Sequence, residues 1–403
     1  MTASEIRPFR IDIPQSEVDG LRRRLTEARY PEPLPEASYN WPSPVGVEWS
    51  RGVPDPWLRE LVDYWRDEFD WRAIEQGINA IPHFSTEVEG QRIHFAHVRS
   101  SNPDAMPLIL VHGWPGSFLE FLHLVGPLTE PQNYGGDARD AFHVVIPSIP
   151  GFAFSSPLAD AGWDDTRIAA AFAEVMARLG YRTFGTQGGD AGAGIGPEVA
   201  RVAPGRVIGV HVNGTTGPLP ELPLSDEEVA GLTPRERRAV DDIQQFMWQQ
   251  FGYISLQSTR PGLIGTMLSD SPVAQLAWIM DKFQAWTWPI EKDVLQILDR
   301  DFLLANVSLY WFTRTAGSAA LTGYGQVSGW GTSKERTDVP TAVINFAHDY
   351  AIRSYVEKEN TVVRWNDVDR GGHFAALEEP ELLTEDVRGF FRELRRLTPP
   401  AAT

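Results

Sequence analysis

The run "RTFGTQGGDAGAGIG", residues 182–196, sets an aspartate, Asp190, between Gly188 and Gly192. Small residues two before and two after a reactive side chain suit a tight strand-to-helix turn, because that turn holds the nucleophile under backbone strain. A hydrolase usually carries serine there, and no Gly-x-Ser-x-Gly occurs in this chain. Two other readings compete. A dinucleotide loop needs Gly-x-Gly-x-x-Gly after the first strand of its unit, with an acidic residue about 20 positions later. Here Pro197 takes the third glycine position of the frame starting at Gly192, and "VIGVHVNG" holds no acid. The plainer alternative is that Asp190 only caps the helix beginning near Ala191.

Distant segments favour the nucleophile. "VHGWPGS" (111–117) leaves an apolar run, and in a hydrolase such a loop supplies half of an oxyanion hole. The Trp114 and Ala191 amides would face the developing negative oxygen, each donor contributing about 3–4 kcal/mol. "DRGGHFAALEEPELL" (369–383) carries His373 in a glycine loop, and "VINFAHD" ends on Asp349. The order nucleophile, acid, histidine is that of the α/β-hydrolase fold. Glu357, Glu359 and Asp367 are the reserve acids, and His348 is expected to point away. His94 and His97 lie three apart on an expected strand, facing opposite sides, so they form no metal pair.

These residues need a sheet to hold them. "PLILVHGW" (107–114), "FHVVIPSIP" (142–150) and "RVIGVHVNG" (206–214) are short apolar runs suited to strands buried on both faces. Helical segments alternate with them, giving an α/β fold with a mostly parallel sheet. "PTAVINFAHD" (340–349) and "NTVVRWND" (360–367) resume the pattern after a long helical stretch. In that stretch Ser225 with Glu228, and Thr233 with Glu236, read as capping boxes. Four segments follow: residues 1–82, a mostly helical extension wrapping the core; 83–217, the first core part; 218–336, a helical lid; and 337–403, the second core part. Glu89 and Gly90 mark a hairpin turn.

Composition narrows the function. A formal charge of -18 argues against nucleic acid or an anionic membrane as partner. The chain has 0 cysteines, which removes disulfides and thiolate chemistry and fits a reducing cytoplasm. The polar start "MTASEIRPFRID" and the lack of any run of about 18 apolar residues predict neither a signal peptide nor a membrane span. Neither a metal nor a cofactor site is expected.

The chain resembles the microsomal-type epoxide hydrolases, which include the juvenile-hormone epoxide hydrolases. The resemblance runs almost end to end, through "IRPFRIDIPQSEVDGLRRRL", "HGWPGS", "PSIPGFAFSSP", "QGGDAG", "LSDSPVAQLAWIMDKF", "LLANVSLYW" and "RGGHFAALEEPELL". It implies a small-molecule epoxide as substrate and a vicinal diol as product. Two lid tyrosines would hold the epoxide oxygen: Tyr253 in "FGYISLQ", and Tyr324 in "SAALTGYGQ", where Gly323 aligns best and Tyr324 stands beside it. A carboxylate, already ionised at pH 7, can attack an sp³ carbon without a base. A tryptophan usually follows the nucleophile in the family; Ala191 stands there instead and should widen the pocket. That change also disfavours the alternative of a dehalogenase, which would want a halide donor at that position. A non-catalytic binding protein would have no need of the whole constellation. Trp114, Phe152, Phe251 and Trp286 are the expected pocket walls for a bulky or aromatic epoxide. The family's roles include detoxification, hormone breakdown and bacterial natural-product biosynthesis of the enediyne type. Assembly, including a homodimer, is left open.

Overall fold

The computed structural model describes residues 5–32, 34–35, 48–321 and 334–397. Among these, nine strands form one sheet: β1 (Arg7–Phe9), β2 (His83–Val88), β3 (Gln91–Val98), β4 (Met106–Val111), β5 (Phe142–Pro147), β6 (Phe184–Gly188), β7 (Val207–Asn213), β8 (Thr337–Asn345) and β9 (Asn360–Asp367). Their order is β1-β2-β3-β5-β4-β6-β7-β8-β9. The pairs β1–β2, β2–β3 and β3–β5 are antiparallel, and every pair from β5 onward is parallel. Leu108, Ile109, Leu110 and Val111 of β4, and Phe142, Val144, Val145 and Ile146 of β5, are fully buried. Helices on both faces account for such unbroken apolar runs. Glu89 and Gly90, both at positive φ, close the β2–β3 hairpin.

The parallel register aligns the carboxyl ends of β4, β6, β8 and β9 along one rim. The segments that follow these strands carry Trp114, Asp190, Asp349 and His373 in turn. Sites in open α/β sheets form on that rim, where chain direction diverges around the central strands.

The N-terminal region adds two features to the expected, mostly helical extension. It contains β1, a three-residue strand too short for periodicity to reveal. Its helices also reach past the sheet. Trp57 Nε1 donates to Asp293 at 2.7 Å, the Tyr64 hydroxyl to Asp301 at 2.8 Å and Trp65 Nε1 to Ser308 at 3.0 Å. The extension therefore grips the helical segment between β7 and β8. That segment includes the helices Asp226–Gly231, Pro234–Gln249, Gly252–Thr259, Pro272–Trp286 and Arg300–Thr313, and both capping boxes form. Part of the Pro/Trp-rich stretch, residues 36–47, and residue Tyr324 lie outside the described residues. Among the described residues, no helix is long and apolar enough to cross a membrane.

Candidate active site

Asp190 sits at the junction of β6 and the helix Ala191–Val202, with φ 53° and ψ -125°. L-residues rarely adopt this conformation, and it persists only where the surroundings enforce it. They do so by close approach. A Cβ at Gly192 would lie 2.0 Å from the Val111 carbonyl oxygen, and one at Gly188 would lie 2.6 Å from the Gly192 oxygen. Side chains at these two positions would push the turn off β4. Although Asp190 occupies the cap position, its side chain makes no capping hydrogen bond. The capping interpretation therefore fails, and the carboxylate is turned toward the loop after β4.

There the Trp114 amide donates to Asp190 Oδ1 at 2.9 Å, and the Ala191 amide also faces the carboxylate. The loop is anchored from outside the sheet by the helix Arg300–Thr313. Asn306 Nδ2 donates to the Pro115 carbonyl at 2.8 Å, the Tyr310 hydroxyl donates to the Gly116 carbonyl at 2.7 Å, and the Ser117 hydroxyl donates to Asn306 Oδ1 at 2.8 Å. From the sequence, "LLANVSLYW" carries only a family resemblance. The embedded Asn306, a polar residue in an apolar helix, was the available signal that this helix holds something.

His373 follows β9, and its Nε2 lies 3.4 Å from Asp190 Oδ2. Its loop is tied down by the His373 amide donating to the Trp286 carbonyl at 3.0 Å, and by Glu378, which accepts from the Trp288 and Phe374 amides at 2.8 and 2.9 Å. Burial alone would push the Asp190 carboxyl up. The His373 hydrogen bond and charge, with the Trp114 and Ala191 amides, hold it below the usual carboxylate range. Burial would correspondingly push His373 down, but Asp190 first, then Asp349, raise it above the ordinary imidazole value. The pair is therefore most stable as carboxylate and imidazolium.

Asp349 lies in the turn after β8, and burial pushes its carboxyl up to about 6, against the Phe346 amide and the charges of His373 and Arg235. It acts on His373 through charge; no hydrogen bond or ion pair within 4.0 Å joins them. Its Oδ2 instead accepts from the Phe346 amide of its own turn at 2.8 Å. The reserve acids are engaged elsewhere: Glu357 with Arg353, Asp367 with Arg235, and Glu359 with the Lys334 amide. His94 bonds to Ser148 and His83, and His97 to Tyr181, so they do serve separate places. His348 does not point wholly away. It borders the cavity below, with Nε2 3.2 Å from the Ala285 carbonyl.

Above the carboxylate opens a cavity of about 400 Å³. Trp114, Phe152, Ala191, Tyr253, Trp286 and His373 help to line it. Tyr253 stacks on Trp114, with ring centroids 4.9 Å apart and planes 15° from parallel. Burial, then the Asp190 charge, keeps its phenol well above the usual range, so it is a donor. Phe251 does not line the cavity. It precedes the helix Gly252–Thr259, and its ring packs edge-on against Phe246 at 6.2 Å. Asp165, Arg201, Lys334 and Glu359 add a charged portion to the wall.

A cavity-facing, amide-held carboxylate beside an imidazole can attack carbon and then be released by water. Known proteins match the chain over most of its length. Residues 6–121 match the family described as Epoxide hydrolase N terminus, and residues 106–241 the alpha/beta hydrolase fold family. A Stigmatella aurantiaca protein, named an epoxide hydrolase by inference, is 42% identical over 97% of this chain and 86% of its own. Epoxide hydrolase 1 of Sus scrofa is 33% identical over 96% of this chain and 88% of its own. The crystal structure of juvenile hormone epoxide hydrolase from the silkworm Bombyx mori aligns with a TM-score of 0.85 at 28% identity, covering 98% of this chain and 95% of that one. Matched over nearly its whole length by enzymes of one kind, the chain belongs to the microsomal-type epoxide hydrolase family and is an epoxide hydrolase of the α/β-hydrolase fold.

Proposed function

We propose that this enzyme converts a bulky, aryl-bearing epoxide to its vicinal diol through an ester on Asp190. The observation that carries the proposal is the charged Asp190 carboxylate, held by two amides and His373 at the floor of the large cavity. Oδ1 is engaged by the Trp114 amide, so Oδ2 is the attacking oxygen. As the Oδ2–carbon bond forms, the epoxide C–O bond breaks and its electron pair passes to oxygen. That oxygen takes a proton from Tyr253, the role Tyr324 would share. Water then gives a proton to His373 Nε2 and attacks Asp190 Cγ. The negative charge falls on Oδ1, between the Trp114 and Ala191 amides, where such donors act most strongly. Collapse expels the diol oxygen, which recovers a proton from His373. The released aspartic acid gives up its own proton, and the tyrosine is restored. Asp349 supports the transient imidazolium by its charge.

Substrate size follows from the wall. Ala191 borders the cavity beside Asp190 and leaves room where a larger side chain would intrude. Trp114, Phe152 and Trp286 make this part of the wall aromatic and suit it to an aromatic group. Among the roles that the family resemblance implies, cytoplasmic natural-product biosynthesis is the setting we favour over detoxification. The test is a panel of epoxides graded from small terminal ones to aryl-substituted ones, with chiral analysis of the diols. Aryl epoxides are expected to exceed the smallest by about tenfold or more in kcat/KM, the scale on which apolar pockets discriminate. Equal or better use of the smallest substrates would contradict the size assignment.

A further inference from the structure

Two cavities meet at Asp190. The larger would receive the epoxide. The smaller, on the inner side of the carboxylate, leaves about 20 Å³ for the centre of a water molecule, which suffices for one water. Asp190, His373, Trp114 and Asn213 border both, whereas His112, Glu120 and Phe374 border only the smaller. Once an ester forms on the substrate side, this inner cavity is the space from which water can approach Asp190 Cγ.

Glu120 is the carboxyl that faces it. It lies in the short turn Phe118–Phe121, whose three other residues bury apolar side chains. Its own side chain bends back over Gly116, where a Cβ would lie 2.4 Å from Oε1. The glycine thus makes room for the carboxyl. Glu120 faces the Gly113 amide and forms no ion pair among the described residues, yet keeps part of its surface open to the cavity. A carboxyl enclosed in this way costs stability unless a polar partner compensates it. Burial, and next the opposing pull of His373 and the push of Asp190, leave it at about 8. It is therefore a mostly neutral group at pH 7, and it does not compete with Asp190 for the His373 proton.

We infer that Glu120 positions the hydrolytic water: a Glu120 oxygen accepts one O–H of the water in the inner cavity, while the other proton passes to His373 Nε2 and the water oxygen attacks Asp190 Cγ. This inference rests on the aspartyl-ester reading above. It assigns Glu120 to the second half-reaction only, since the epoxide opens on the other side of the carboxylate.

Rapid-quench single turnovers, followed by intact-protein mass spectrometry, separate the two steps. In Glu120→Ala, ester formation should stay within about threefold of the parent while ester hydrolysis slows about 100-fold, so that the ester accumulates. Glu120→Gln keeps an oxygen acceptor of the same reach and should recover most of that loss, to within about tenfold of the parent. Hydrolysis at the parental rate in Glu120→Ala would overturn the inference. So would equal slowing of both steps in both variants, the pattern of a purely structural residue. A failure of the underlying reading looks different: no ester would then be trapped in Glu120→Ala or in His373→Gln.

Discussion

Asp190→Ala is expected to abolish diol formation, by about 10⁴-fold or more, because it removes the attacking atom itself. No other group can take its place. Glu120 is mostly neutral and lies on the water side, and Asp349 is turned into its own loop by the Phe346 amide. The fold should survive. Asp190 contributes no helix-capping hydrogen bond, so its side chain is not needed to hold the start of the helix. Alanine is also an L-residue at φ 53°, so the backbone strain is unchanged in kind. Steady-state assay together with circular dichroism and a melting curve checks both halves. A folded Asp190→Ala protein that retains parental turnover would remove the ester mechanism altogether.

His373→Gln is expected to stop the cycle halfway. Attack on the epoxide needs only the Asp190 anion and a phenol donor, whereas hydrolysis needs a base for water. General-base assistance is typically worth about 10²–10⁴-fold, so turnover should fall by that order and the ester should be isolable at the mass of enzyme plus substrate. The same logic gives a pH signature in the unaltered enzyme. His373 is a base only when neutral, so hydrolysis weakens as pH falls through its titration. Asp190 stays ionised below the usual carboxylate range, so ester formation persists there. Between the two titrations the ester should build up, and more so the lower the pH. Esterification removes the Asp190 charge that raises His373, which frees the imidazole to act as base near neutrality. Quenching at a series of pH values would reveal the accumulation; its absence in both His373→Gln and acidified parent enzyme would contradict the assignment.

What could be read in advance depended on how local the determinant was. β5 and β7 fall within their apolar runs, and β4 starts one residue before its run, at Met106, because burial on both faces leaves an unmistakable pattern; the edge strand β9 matches its expected range. The capping boxes and the Glu89–Gly90 turn are local chemistry and could be read from a few residues. Asp190, Trp114 and His373 are brought together because each closes a strand of one parallel sheet, so their order in the chain already implied a shared rim. Long-range placement was less visible. Nothing in "SYNWPSPVGVEW" or in the helix of Trp65 says that Trp57, Tyr64 and Trp65 will bond to Asp293, Asp301 and Ser308. Phe251 and Trp286 looked alike as helical aromatics, yet one packs on Phe246 and the other borders the cavity. Asp349 was identifiable by position after its strand, but its preference for the Phe346 amide over His373 is a matter of side-chain rotation that spacing cannot encode. Glu120 passed unnoticed because a single acid in "GSFLEF" resembles any other charge on an amphipathic turn, until the three apolar neighbours are seen to be buried with it.

The ester mechanism requires that Asp190 give an oxygen to the product. The direct measurement is one turnover in ¹⁸O-water with enzyme in excess over epoxide, and mass analysis of the first diol. Under the ester mechanism this diol carries unlabelled oxygen from Asp190, and the label appears in the Asp190 carboxylate. A first diol already labelled from solvent would mean that water attacks the epoxide directly, and would contradict it.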